Sequence, residues 1–211
     1  MFCDCETICL CSTWVVNVFF WAALIPQVIL NFKLRTTRGL SDLMLFGYFN
    51  GYITYIYYVF CFNLPIAYKI MVPLSFMTMM VILVQRFVYE QAYRRDTKLL
   101  MLYLVNGCLA ILIIPHAFAH TRFIGNVTGW IEIVIWAIYQ IPQVLKVRVN
   151  KSVVGLSFLL VTLIGFGDLI ELLVAIVLRL PVQTIVNGFR GVFIYLVFCV
   201  QFLLYSQPNN L

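Results

Sequence analysis

The sequence predicts an all-α membrane protein of seven transmembrane helices arranged 3+1+3, with two parallel three-helix repeats joined by a linker helix. Three observations predict it. The first is composition: of 211 residues, 64% are hydrophobic and 10% charged, where a soluble domain carries roughly 25% charged residues. The second is that apolar runs near the ~20 residues needed to cross ~30 Å of hydrocarbon recur along the whole chain. The third is repetition. Ile25-Pro26-Gln27-Val28 returns 116 residues later as Ile141-Pro142-Gln143-Val144. In each copy the proline is followed 13 residues on by Gly-Leu-Ser, beginning at Gly39 and Gly155. The same offset pairs Trp14 with Trp130, Gly51 with Gly167, and Leu64-Pro65 with Leu180-Pro181. One register held over that distance reads as a duplicated module in the same order.

In chain order the spans fall at roughly 12–33, 40–61, 65–87, 99–118, 125–146, 154–178 and 182–206. The offset maps spans one to three onto five to seven. The domains are then a tail at 1–11, a first repeat at 12–87, a linker helix with flanking loops at 88–124, a second repeat at 125–206 and a tail at 207–211. The linker has a topological reason. Three crossings reverse orientation, so two copies pointing the same way need one more crossing between them.

Orientation follows from the basic residues. Lys33, Arg35, Arg38, Arg86, Arg94, Arg95, Lys98, Lys146, Arg148 and Lys151 lie in the odd-numbered loops, against Lys69, Arg122 and Arg179 on the other side. This places the odd loops in the cytosol, the N-terminus outside or in a lumen, and the C-terminus in the cytosol. The expected location is a lysosomal or other endomembrane in a eukaryote, or the inner membrane of a bacterium. The net charge of +6 sits in these short loops and so points to the bilayer, not to nucleic acid.

The termini carry less. Asp4 and Glu6 oppose a positively charged signal-peptide start. Cys3, Cys5, Cys9 and Cys11 lack the usual zinc spacing and an accompanying histidine, so no metal or cofactor is expected. Asn126-Val127-Thr128 is a glycosylation sequon on the outer side. Asp96-Thr97-Lys98-Leu99-Leu100 resembles a dileucine sorting signal but reads more simply as a loop entering span four. His116 and His120 are placed at the interface.

Proline inside a helix has no N–H and frees the carbonyl four residues earlier, here those of Ala22 and Ile138. Buried in lipid these need a helix, water or solute partner. A single kinked span is commonplace. Two at equivalent places in a duplicated module favour hinges at Pro26 and Pro142, with Gln27 and Gln143 each adding two donors and an acceptor.

The doubled Pro-Gln, each followed by a basic stretch and Gly-Leu-Ser in a seven-span frame, resembles the PQ-loop family. That family includes cystinosin, lysosomal cationic amino acid exporters and, more distantly, the SWEET sugar transporters. The resemblance implies two facing three-helix bundles that rock to give alternating access. KDEL receptors share the frame, and a dolichol-sugar utilisation protein carries the motif, so the resemblance does not fix the function.

Ionisable residues inside spans each cost ~3 kcal/mol or more and point to function. Measured at 1.5 Å per residue from the outer ends, Glu132, Asp168 and Arg190 fall near one layer roughly 10–15 Å deep, with Glu171 shallower. Their first-repeat counterparts are Val16, Tyr52, Leu74 and, for Glu171, Tyr55, so the site is asymmetric. Asp168 and Glu171 share a helix face. Glu132, Trp136, Tyr139 and Gln143 form one stripe, Asn187 and Arg190 another, and Asn50 with Thr54 is the first repeat's polar contribution. An ion pair of Arg190 with Asp168 or Glu171 is the structural alternative, yet it neutralises one acid of three. Two unpaired carboxylates at similar depth should not both stay ionised, which is the chemistry of proton coupling. Exporters that this chain resembles carry a polar residue 13 positions after the Gly of Gly-Leu-Ser, where Asp168 stands. Cystinosin-like members carry an acid where this chain has Ile164.

No nucleotide loop, nucleophile triad or zinc spacing is present, so an enzyme is not expected. The expected function is symport by a secondary transporter of small polar solutes, amino acids and cationic ones in particular. The expected partners are the solute, protons and the bilayer, with an oligomer possible. A SWEET-type sugar facilitator and a non-transporting receptor or accessory protein stand as alternatives.

Overall fold

The computed structural model describes residues 2–90, 101–108 and 122–205, without the side chains of residues 2–6, 8 and 9. Its helices are α1 (Phe2–Leu34), α2 (Asp42–Cys61), α3 (Ile66–Tyr89), α4 at 101–108, α5 (Arg122–Asn150), α6 (Phe158–Val177) and α7 (Val182–Tyr205). Five of them, α1 from Leu10 onward, α3, α5, α6 and α7, are long and apolar enough to cross a membrane. The 20-residue α2, which carries Tyr48, Tyr52, Tyr55, Tyr57 and Tyr58, is not among these five. Helix α1 starts ten residues before the expected first span. No glycine or proline precedes Pro26, so nothing in that stretch breaks a helix. Cys11 is an exposed free thiol. Arg94, Arg95, Lys98, His116, His120, the dileucine-like stretch, the tail at 207–211 and most of the linker span lie outside the described residues, as do the side chains of Cys3, Cys5 and Cys9.

The duplication is visible in backbone detail. Among the described residues four non-glycine residues have positive φ, and they form two equivalent pairs: Arg35 (52°) with Lys151 (46°), and Asn63 with Arg179 (both 51°). Each lies just past the end of a helix, where a left-handed residue ends the helical hydrogen-bond ladder. The turn closed by Leu40 N–H on Thr37 O (2.9 Å) recurs as Leu156 N–H on Val153 O (3.0 Å). Leu64 N–H on Val59 O (3.0 Å) recurs as Leu180 N–H on Ala175 O (2.9 Å).

Within the first repeat α3 packs between α1 and α2, and in the second α7 packs between α5 and α6. Between repeats, α1 lies on α6 and α2 on α5. Exchanging the repeats leaves this pattern unchanged, so a pseudo-twofold axis relates them, as in parallel-repeat transporters. The axis can be located. A residue touches its own repeat equivalent only where both lie beside it. A Cβ placed on Gly39 would come within 2.6 Å of the Gly155 backbone, and Tyr55 OH donates to Glu171 Oε1 at 3.2 Å. Both pairs are 116 residues apart. The axis therefore runs from the Gly-Leu-Ser loops, at the basic end of the bundle, to the Tyr55–Glu171 level.

The repeats differ at that basic end. Arg86 donates to Thr37 O (2.6 Å), Thr37 Oγ1 and Asp42, and Glu90 accepts from Thr36 Oγ1 (2.7 Å), Thr37 N–H (3.0 Å) and Arg38 Nε (3.2 Å). These bonds fasten the first loop to α3. The second-repeat counterparts of Asp42 and Arg86 are Phe158 and Phe202, which meet edge to face with ring centroids 5.0 Å apart.

Candidate functional site

The sequence places the Pro-Gln pairs late in α1 and α5, and both helices run continuously through Pro26 and Pro142. Each glutamine reaches across to the other repeat. Gln27 Nε2 donates to Gly155 O (3.0 Å), and its Oε1 accepts from Ser157 N–H (2.9 Å). Gln143 Nε2 donates to Gly39 O (3.0 Å), and its Oε1 accepts from Ser41 N–H (2.8 Å). Every Gly-Leu-Ser loop is thus held by the opposite repeat's glutamine through two main-chain bonds. Gly155 has a φ of +84°, which L side chains rarely adopt, so glycine is required there. The two loops meet main chain to main chain and close this end of the bundle.

Two more glutamines support the clasp, and sequence reasoning missed them. Gln85 Nε2 donates to Val28 O (3.0 Å) and Gln201 Nε2 to Val144 O (2.8 Å). They too are 116 residues apart, so the repeat offset was the signal that would have found them.

Above the clasp lies a cavity of about 60 Å³, room for a few waters. Residues lining it include Tyr48, Tyr52, Tyr55, Trp136, Asp168 and Arg190. Four of its rings pack on one another: Tyr48 and Tyr139 lie 4.5 Å apart by centroid, Trp136 and Tyr139 5.1 Å, and Tyr52 and Trp136 5.3 Å. The far end is closed by Tyr58 OH bonded to Thr184 Oγ1 (2.8 Å) and by Gln183 bonded to Asn126 (3.2 Å). The cavity thus lies between the glutamine clasp and these side-chain bonds. Asn126 is tied into this closure from inside α5, so its sequon lies within a helix and not in an open loop.

Of the ionisable residues expected in the layer, the structure brings four together. Glu132, Asp168 and Glu171 are buried at 2%, 3% and 1% exposure, and Asp168, Glu171, Asn187 and Arg190 line the cavity. Glu132 accepts from Asn187 Nδ2 at 3.5 Å. The alternative ion pair of Arg190 is not formed. Its Nε donates to Asn187 Oδ1 (2.9 Å), and its Nη1 to Trp136 O (3.0 Å) and Gln140 Oε1 (3.3 Å). The described ion pairs, Arg38–Glu90 and Arg86–Asp42, both lie at the basic end. Arg190 Nη2 is left with no bond to a described residue, and Asp168 Oδ2 is buried without a hydrogen-bond partner.

Asn50 is the exception. Its amide donates to Phe46 O of its own helix (2.9 Å), and it sits with Thr54 in a separate, largely apolar groove against α5. The cavity face of α2 belongs to Tyr48, Tyr52 and Tyr55. The first repeat therefore contributes hydroxyls and rings from α2 and the amide of Asn17 from α1. Tyr52 and Tyr55 are the repeat equivalents of Asp168 and Glu171, which places tyrosines and acids across the axis from each other.

Comparison with known proteins agrees with this geometry. The PQ loop repeat model matches residues 8–68 and 124–184, two segments again 116 residues apart. No curated protein sequence matches the chain. Among solved structures it is similar to a eukaryotic SWEET transporter determined at 3.7 Å, with 15% identity, a TM-score of 0.58, and coverage of 91% of this chain and 99% of that one. That likeness shows the fold, a 3+1+3 arrangement of helices. With both halves matched by the repeat model, the chain belongs to the PQ-loop family of multi-pass membrane proteins.

Proposed function

We propose that this protein is a secondary transporter of small polar solutes, amino acids and cationic ones in particular, coupled to protons and working by alternating access. One observation carries the reading. A cavity between the repeats holds a buried carboxyl oxygen of Asp168 without a hydrogen-bond partner among the described residues, and beside it Arg190, whose Nη2 makes no bond to them. A buried polar atom without a partner costs about 1–3 kcal/mol, more if charged, so a ligand that supplies both partners is favoured there. An amino acid would do so once the cavity widens to admit it, with its ammonium on Asp168 and its carboxylate on Arg190.

The charge count supports a cationic solute and a proton. Three carboxyls and one guanidinium leave two negative charges in excess if all are ionised. A lysine or arginine solute contributes one net positive charge, and one proton on a carboxyl completes neutrality. A dehydrated layer far from neutrality is costly. Alternating access then requires the glutamine clasp to release at the basic end, with Pro26 and Pro142 as hinges, while the Tyr58 closure holds, and the reverse. By the positive-inside rule the clasp faces the cytosol and the N-terminus faces outside or a lumen.

The aromatic quartet around the cavity favours a second reading, a sugar facilitator, since rings stack on sugar faces. Counterflow in proteoliposomes separates the two. Radiolabelled L-lysine or L-arginine should accumulate against the unlabelled solute, and an inward-acid gradient should drive net uptake. Glucose or sucrose counterflow that ignores pH and membrane potential would replace the amino acid reading with the sugar one.

A further inference from the structure

Gly191 lies on α7 next to Arg190, and nothing in its sequence position marks it. A Cβ built there would land on the Asp168 carboxyl, overlapping its Cγ and both oxygens. The carboxyl therefore occupies the space that any other residue at 191 would fill. The first-repeat equivalent of this pair is Tyr52 with Ser75. There the side chain is present, and Ser75 Oγ donates to Met71 O at 2.9 Å. In the second repeat residue 191 has no side chain, so the carboxyl fills that space and no hydroxyl is offered to it. Arg190 adds no donor to it either, because its bonds go to Asn187, Trp136 O and Gln140. The outcome is a buried Asp168 whose Oδ2 has no partner among the described residues.

We infer that Gly191 is the positioning residue for solute recognition: it seats the Asp168 carboxyl against α7 and withholds any internal donor, so that the acid is kept for the ammonium group of a solute. This rests on the reading of Asp168 as an ammonium site. Gly191 itself touches no solute. Alanine at 191 displaces the carboxyl from its seat. Serine does the same and also supplies an internal donor.

The test is L-lysine counterflow with wild-type protein, Gly191→Ala and Gly191→Ser, each also in an Asp168→Asn background. The half-saturating L-lysine concentration should rise at least tenfold in Gly191→Ala, and further in Gly191→Ser, while the maximal rate stays within about threefold. In the Asp168→Asn background the change at 191 should alter it by less than twofold. Wild-type affinity in Gly191→Ala, or an equal loss in both backgrounds, would overturn the inference. If Gly191→Ala is poorly folded, the double change Asp168→Gly with Gly191→Ala should restore yield, because the overlap is with the carboxyl; no restoration overturns it. The carboxyl stretching band assigned by its absence in Asp168→Asn is a readout that needs no solute. It should shift in Gly191→Ala. A shifted band without wild-type L-lysine counterflow would sink the transport reading and keep the positioning role, whereas an unmoved band would sink the positioning role.

Discussion

Replacing Gln143 with leucine should loosen the closure at the basic end by an amount the structure allows to be worked out. The side chain is fully buried and makes two bonds to the opposite repeat, to Gly39 O at 3.0 Å and from Ser41 N–H at 2.8 Å. Leucine is close in volume, so packing is largely kept. Each lost hydrogen bond removes about 1 kcal/mol of net stability. The closed state also keeps a main-chain carbonyl and N–H away from water without partners, which adds about 1 kcal/mol each at the low end of the usual penalty. In the open state those groups are hydrated in either protein. The sum, roughly 2–4 kcal/mol, is a shift of about 30-fold to several hundred-fold toward the open state. A cysteine at Ile164, on the cavity wall, reports that population when the native cysteines are replaced. Its modification by an impermeant thiol reagent applied from the basic side should accelerate by that factor in Gln143→Leu. Gln27→Leu should do about as much, because Gln27 likewise makes two bonds to the opposite repeat. Rates within threefold of the parent for both variants would refute the clasp as the closing element.

Other outcomes follow from the same geometry. Pro26→Leu and Pro142→Leu each restore a helix hydrogen bond and should slow L-lysine exchange roughly fivefold at normal protein abundance, a stiffening of about 1 kcal/mol; full-rate exchange in both leaves only static kinks. Asp168→Asn keeps size and some hydrogen bonding but removes the ionisable group, so pH-driven L-lysine uptake should collapse; a wild-type pH dependence, with loss in Glu132→Gln instead, would assign the proton to the other acid. At the end of α3, burial pushes the Glu90 carboxyl up, but bonds from Thr36, Thr37 and Arg38 and the charge of Arg86 outweigh it and hold it below the usual carboxylate range. A lowered folded value means that its stabilisation is complete at neutral pH and is lost as pH falls through that value, below about 4.3. Thermal unfolding in detergent should therefore show a loss of stability below pH 4 that Glu90→Gln flattens; identical profiles would deny Glu90 a role in holding the first loop.

Much of this architecture was legible because duplication writes the same information twice. The 116-residue offset ordered six of the seven spans, and the left-handed residues Arg35, Lys151, Asn63 and Arg179 obey it to the residue. The acids of the cavity were legible because an ionisable residue in a long apolar run stands out against its neighbours. Asn50 was misplaced because polarity alone favours an amide over a tyrosine. It ignores that the amide satisfies itself on Phe46 O four residues back, while Tyr48, Tyr52 and Tyr55 line the cavity. The reciprocal clasp was not legible at all. Its bonds join residues 102 to 130 positions apart, and helix periodicity says which face a glutamine occupies but not which main-chain atoms face it. Yet the twofold relation, once located, makes the clasp follow. If Gln27 reaches the second loop, the equivalence of the repeats obliges Gln143 to reach the first, and two loops held this way must meet on the axis. The small residue in Gly-Leu-Ser is what permits that meeting. The cavity inherits the same logic in reverse: it lies near the axis, where equivalent residues face one another, so a single replacement in one repeat, Asp168 for Tyr52 or Glu171 for Tyr55, is enough to give a symmetric frame an asymmetric cavity.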